Sequence, residues 1–177
     1  MSARATAVAA ALAAACVVPP SQSSLGVGAT GAGLARRISV GAHSVALDAR
    51  GEMPVDLGAG WVVETDGAGA SAHGTYLALA RQVAGPGWLG GRAELYWDTV
   101  DGQPTRALVV RAGLRQRVVG GRAGASDGGG AFGVLGVLAV GGYLDLGARQ
   151  LDGGGGEAFA AVGVTVDLPA VAGLARH

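Results

Sequence analysis

From Gly90 to Val100 the chain reads GGRAELYWDTV, and its residue types alternate almost without error. Leu89, Gly91, Ala93, Leu95 and Trp97 fall on one side; Arg92, Glu94, Tyr96 and Asp98 fall on the other. Side chains of a strand point to opposite faces with period two, so the pattern predicts a β-strand with one apolar and one charged face. Four other stretches repeat it. Val55, Leu57, Ala59, Trp61 and Val63 oppose Asp56, Gly58, Gly60, Val62 and Glu64. Leu108, Val110, Ala112 and Leu114 oppose Val109, Arg111, Gly113, Arg115 and Arg117. Leu144, Leu146 and Ala148 oppose Tyr143, Asp145, Gly147 and Arg149. Val162, Val164, Val166 and Leu168 oppose Ala161, Gly163, Thr165 and Asp167.

The pattern predicts eight strands, at 36–48, 54–65, 73–83, 88–100, 105–118, 130–140, 143–151 and 157–168. Between them lie ARGEMP, TDGAGASA, AGPG, DGQP, VGGRAGASDGG, Gly141-Gly142 and DGGGG, rich in the dipeptides that hairpins favour. The alternative is one long strand from Ala131 to Gln150, which leaves seven. No segment has a helical period with capping signals, so the expected fold is all-β: an antiparallel up-and-down barrel or a sandwich. Counting hairpins from a periplasmic N-terminus puts ARGEMP, AGPG, VGGRAGASDGG and DGGGG on the outer side.

Composition decides which face meets the surroundings. Charged residues make up 15% and apolar ones 50%, with a mean hydropathy of +0.39. Ordinary soluble domains carry roughly 25% charge, so this chain is short of water-facing residues. There are 34 glycines and only 6 prolines, without a collagen period. The polar faces collect Arg37, Arg92, Arg111, Arg115, Arg117 and Arg149 against Asp56, Glu64, Glu94, Asp98, Asp145 and Asp167. Enclosed in a narrow barrel, these arginines could fork onto carboxylates of neighbouring strands, and inward glycines would make room for them. On a water-facing sheet glycine would only weaken the strand. The expectation is a transmembrane barrel over residues 36–168, with Trp61, Trp88 and Trp97 as interfacial aromatics and a charge network inside. That network comprises Arg92, Glu94, Asp98, Arg111, Arg115, Asp145, Arg149 and Asp167. A strand needs about 9–11 residues to span a bilayer, and most segments reach that.

Segments such as GGRAELYWDTV, GGYLDLGARQ and VGVTVDL resemble the small eight-stranded outer-membrane barrels of the OmpA/OmpX-like class. The resemblance is one of pattern. It implies a cell outer-membrane protein of a Gram-negative bacterium. In one respect the chain departs from that class: Pro169 and the tail AVAGLARH follow the last strand, with no terminal aromatic.

The N-terminus reads as a signal peptide over 1–15: Arg4, the apolar run Ala5 to Ala15, and small residues before Cys16. Cys16, the one cysteine, sits where a lipoprotein is acylated; the alternative is plain cleavage after Ala15. Residues 16–35 read as a Gly/Ser/Pro tether and 169–177 as a C-terminal tail. GVGATG, Gly26 to Gly31, fits a dinucleotide fingerprint on paper but lacks the surrounding βαβ unit.

Little else carries chemistry. His43-Ser44 point to opposite faces of a strand; Ser71 and His73 can share one, as a lipid A-modifying barrel enzyme would need, but lie in a Gly/Ala turn where both are ordinary. SDGGG and LDGGGGE offer one aspartate each, too few for Ca²⁺. The net charge of zero excludes a basic nucleic-acid surface. The expected role is non-enzymatic and without cofactor: a structural envelope component, or a subunit of a larger surface assembly with other envelope proteins and outer-membrane lipid as partners. A soluble exported β-sandwich or lipocalin-like lipoprotein, binding a partner or an apolar ligand, is the alternative.

Overall fold

A computed structural model describes residues 21–31, 33–46, 55–97, 99–124, 131–168 and 170–175 of the 177. Nine strands run in order: β1 (Ser21–Thr30), β2 (Gly33–Ala46), β3 (Val55–Thr65), β4 (Ser71–Ala84), β5 (Gly87–Trp97), β6 (Pro104–Gly124), β7 (Ala131–Leu151), β8 (Gly156–Leu168) and β9 (Ala170–Ala175). Each of the first seven pairs antiparallel with the next, and β8 pairs back onto β1 from Ser21↔Leu168 to Ala29↔Ala160. The eight strands therefore close into an up-and-down barrel, in which every strand has a neighbour on both sides.

The stretch read as a tether over 16–35 is strand from Ser21 onward, so the barrel begins there and not at residue 36. Period two does run through β1: Gln22, Ser24, Gly26 and Gly28 face in, while Leu25, Val27 and Ala29 face out. Its inward side chains are small and uncharged, which is why its sequence looks like linker. At Gly141-Gly142 the expected turn does not occur, and β7 is one strand of 21 residues. Both glycines stay in the ladder, opposite Arg115 and Leu114 on β6 and Thr165 and Val164 on β8. One strand was missed and one split, so the count of eight survives with different members.

That exchange changes which loops share an end. Ser21 and Leu168 lie at one end, here the terminal end, with the connection 85–86, the end of β2, the start of β3, the end of β6 and the start of β7. Connections 31–32, 66–70, 98–103 and 152–155 lie at the other, the turn end. DGGGG, after β7, is thus at the end opposite to AGPG, after β4, which corrects their expected grouping; ARGEMP lies outside the described residues, and of VGGRAGASDGG the part to Gly124 belongs to β6 and the rest lies outside them too. At the turn end, Asp66 Oδ1 accepts from the amides of Ala68 and Ala70, both at 2.9 Å. Gly153, Gly154 and Gly155 all have positive φ, a conformation L side chains rarely adopt. The Asp152 amide donates to the Gln103 carbonyl at 2.8 Å, which ties two adjacent turns together.

At the terminal end β6 and β7 continue past the barrel. β5 ends opposite Leu114, but β6 and β7 stay paired as far as Gly124↔Gly133. Part of the expected tail 169–177 is strand: β9 prolongs β8 against β7 in one register, from Ala139↔Asp167 to Gly136↔Ala170.

Inside, five of the glycines face rings. His43 lies opposite Gly58, Tyr76 opposite Gly60, Tyr96 opposite Gly74, Tyr143 opposite Gly163 and Phe159 opposite Gly147. The room that inward glycine provides goes first to an aromatic ring, on which arginines then stack. A Cβ on Gly163 would meet the Tyr143 hydroxyl at 2.6 Å and Gly26 Cα at 2.7 Å, whereas outward Gly91 has its nearest such neighbour at 3.8 Å. Gly163→Ala should therefore destabilise the barrel by about 1–3 kcal/mol, the usual range for overpacking. Gly91→Ala should change stability little. Urea unfolding followed by tryptophan fluorescence checks the pair, and equal effects would refute this packing.

Candidate functional site: the ion-paired interior and the apolar wall

The alternation on β5 resolves as Trp88, Arg92, Glu94 and Tyr96 buried against Leu89, Gly91, Ala93, Leu95 and Trp97 exposed. The same parity holds around the barrel, so charged side chains meet in the bore. A connected path of contacts runs through it. From the terminal end, Gln22 Nε2 donates to Asp167 Oδ1 at 2.6 Å, and Arg115 Nε lies 3.4 Å from Asp167 Oδ2. Arg115 Nη1 donates to Asp56 Oδ2 at 2.8 Å. Asp56 Oδ1 lies 2.9 Å from His43 Nδ1, and His43 Nε2 lies 3.1 Å from the Tyr76 hydroxyl. The Arg92 guanidinium stacks 3.6 Å above the Tyr76 ring.

Arg92 Nε is 2.7 Å from Glu94 Oε1. Glu94 also accepts from Arg37 Nη2 at 2.6 and 2.7 Å and from the Tyr96 hydroxyl at 2.7 Å. Arg37 Nη1 lies 3.7 Å from Glu64, which pairs with Arg149, and Arg149 pairs in turn with Glu157. Glu157 finally accepts from the Gly31 amide at 2.8 Å, at the turn end. Beside this path Arg111 forks onto Asp145 with two bonds of 2.7 Å and stacks 3.9 Å from the Tyr143 ring. Asp145 is fully buried and Glu94 is 2% exposed. Charges so enclosed are tolerable only when paired and hydrogen-bonded, and bidentate Arg–carboxylate geometry supplies both.

Among the residues expected inside, Arg92, Glu94, Arg111, Arg115, Asp145, Arg149 and Asp167 all take part. Asp98 and Cys16 lie outside the residues whose side chains are described. His43, Glu157, Tyr76 and Phe159 were not anticipated as interior groups. Parity could have found them: His43 is six residues from Arg37, and Glu157 and Phe159 lie ten and eight before Asp167. The tryptophans divide. Trp61 and Trp97 face outward and touch edge to face, 5.3 Å between centroids. Trp88 is no interfacial residue: it is buried, with the Arg115 guanidinium 4.4 Å from its ring. It shares parity with Arg92, four positions on.

The bore is packed. Two small cavities within it, of about 30 and about 20 Å³, each have room for roughly one water molecule. Ser71 shares the face of outward His73, but its Oγ lies 3.0 Å from Thr65 Oγ1, and among the described contacts none joins it to His73. Among the described residues no three His, Cys, Asp or Glu side chains are grouped to hold a metal ion. No family model, curated protein or solved structure matches this chain.

Two tests follow from the network. Glu94→Gln leaves Arg37 and Arg92 buried without their shared anion and should cost about 3–5 kcal/mol in urea unfolding. A loss under about 1 kcal/mol would mean that water already screens the site. For Arg111 and Asp145, the Arg111→Met/Asp145→Leu double variant should be less destabilised than the two single variants summed, with a coupling of about 0.5–3 kcal/mol. Strict additivity would show that the fork contributes nothing.

Proposed function

We propose that this protein is a transmembrane β-barrel of the outer membrane of a Gram-negative bacterium, acting as a structural envelope component or as a subunit of a larger surface assembly. The observation that carries the reading is inverted polarity. Leu108 is 71% exposed and Leu95 62%, with Leu34, Leu77, Leu114 and many valines also outward, while the arginines and carboxylates are buried. A water-soluble barrel has no reason to present such a wall; hydrocarbon does. Strands of 10 to 14 residues in β1 to β5 and β8 suit a bilayer, which needs about 9–11.

The lipocalin-like alternative requires a bore lined by apolar side chains, and this one holds guanidinium groups and carboxylates. Its packing leaves no wide aqueous path among the described residues, which favours a scaffold over a pore. The projecting β6, β7 and β9 sheet presents strand edges beyond the rim, a form of surface that accepts a partner strand, and this supports the assembly reading. With Ser21 and Leu168 on the periplasmic side, that sheet faces the periplasm and the tight turns face outward. Residues 1–15 would direct export, and Cys16 would be the site of lipid attachment.

Fractionation tests the placement. The protein should sediment with outer membranes and shift in gel mobility on boiling, and recovery in the soluble fraction would refute it. At mid-wall, Leu144→Arg should destabilise the barrel in lipid vesicles by about 2–4 kcal/mol, the range for a lipid-facing arginine at the bilayer midplane. An unchanged unfolding midpoint would argue against lipid contact there.

A further inference from the structure

Register fixes the height of each outward side chain on the wall. From Arg81 on β4 one ladder passes Leu89, Ala112, Leu144, Val162 and Val27 and arrives at Arg36 on β2. Carried on to Thr65, it meets β3 ten residues beyond Val55, the partner of Arg81. A shift of ten residues around eight strands tilts the strands by about 40° to the barrel axis. Each residue then advances about 2.5 Å along that axis, and each step between strands about 3 Å. Arg36, six strand spacings from Arg81, therefore stands about 18 Å nearer the turn end. His73, eight residues back along β4, stands about 20 Å from Arg81, and Arg106 on β6 about 21 Å.

Arg36, His73 and Arg106, all outward and on three separate strands, thus share one level to within about 3 Å, and Trp97 of β5 stands close to it. Arg81 and Gln116 mark the other level. Between the two, every described outward side chain of the strands is uncharged, and on the ladder itself each is Leu, Ala or Val. The belt so bounded is about 20 Å high on β4, from His73 to Arg81, and about 25 Å on β6, from Arg106 to Gln116. A typical bilayer has a hydrocarbon core of roughly 30 Å. Arginine can snorkel past such a boundary, but the imidazole of His73 has a short reach, and the Thr75 hydroxyl lies inside it. We infer that the partner this wall fits is a thin bilayer, with a hydrocarbon core of about 20–25 Å, and that a thicker one must be compressed around β4. The inference rests on the membrane placement proposed above and deepens it.

The test uses the full-length barrel folded into vesicles of dilauroyl, dimyristoyl or dioleoyl phosphatidylcholine, whose hydrocarbon cores thicken in that order. Urea unfolding followed by tryptophan fluorescence gives a midpoint in each. The midpoint should be highest in dilauroyl vesicles and fall at each step as the mismatch grows. The double variant His73→Leu/Arg81→Leu lengthens the belt on β4 at both ends and should move the highest midpoint to dimyristoyl vesicles. Both positions face outward, and the boiling shift reports that the variant folds. Leu77→Ile, within the belt, should keep the native order. A native midpoint that stays level or rises with thickness overturns the inference, as does an unchanged order in the folded double variant. A barrel that folds in the vesicles but fails this test loses only the thin-bilayer fit; one that folds in none of them loses the membrane placement.

Discussion

A carboxylate cut off from bulk water must have a cation within hydrogen-bonding reach, and the interior of this barrel is arranged by that requirement. Glu94, 2% exposed, is met by two arginines and a tyrosine hydroxyl. Asp145 is met by a forked arginine from the adjacent strand. Such pairs reach across as well as along the sheet: Arg37 on β2 bonds Glu94 on β5, and Arg149 on β7 pairs with Glu64 on β3. Bonds between strands that are not neighbours tie opposite walls together. They are available only because the sheet has closed.

Glycine and aromatic residues complete the arrangement. An eight-stranded bore is only wide enough to be filled by side chains, so every ring that enters must find space opposite. Glycine across the ladder provides it for His43, Tyr76, Tyr96, Tyr143 and Phe159. The rings then supply surfaces for guanidinium groups: Arg92 on Tyr76, Arg111 on Tyr143, Arg115 on Trp88 and Arg37 on Phe159. Cation–π contact is stronger where water is excluded, so ring and ion pair hold the same arginine from two directions. The glycine content that sets this composition apart is therefore tied to its arginines through the aromatics between them.

The outer wall follows from what the bore has taken. With the strand carboxylates turned inward, most of what remains outside among the described residues is Leu, Val and Ala, with two tryptophans and a few arginines. Trp61 and Trp97 belong to that wall, and Trp88 to the bore. Three residues of one type are separated by parity alone. Where the wall residues are small, as at Gly91, Ala93 and Ala148, the surface dips.

Alternation along β3, β5, β6, β7 and β8 was enough to fix the all-β class, the antiparallel meander and which residues share a face. The reason is local: a strand places successive side chains on opposite sides whatever lies beyond it. Most of the charge network was legible for the same reason. β1 was not, because its inward positions are Gln, Ser and Gly, and a strand without charge or bulk on its inner face reads as linker. Nor could the sequence decide that Gly141-Gly142 continues a strand. Two consecutive glycines are compatible with a turn or a ladder, and partners on both sides, from β6 and β8, settle it. The pairing of each arginine, the ring opposite each glycine and the end at which each loop lies came from the tertiary structure alone. All three depend on register and closure, which bring together residues as far apart as Arg149 and Glu64, and no local preference encodes that distance.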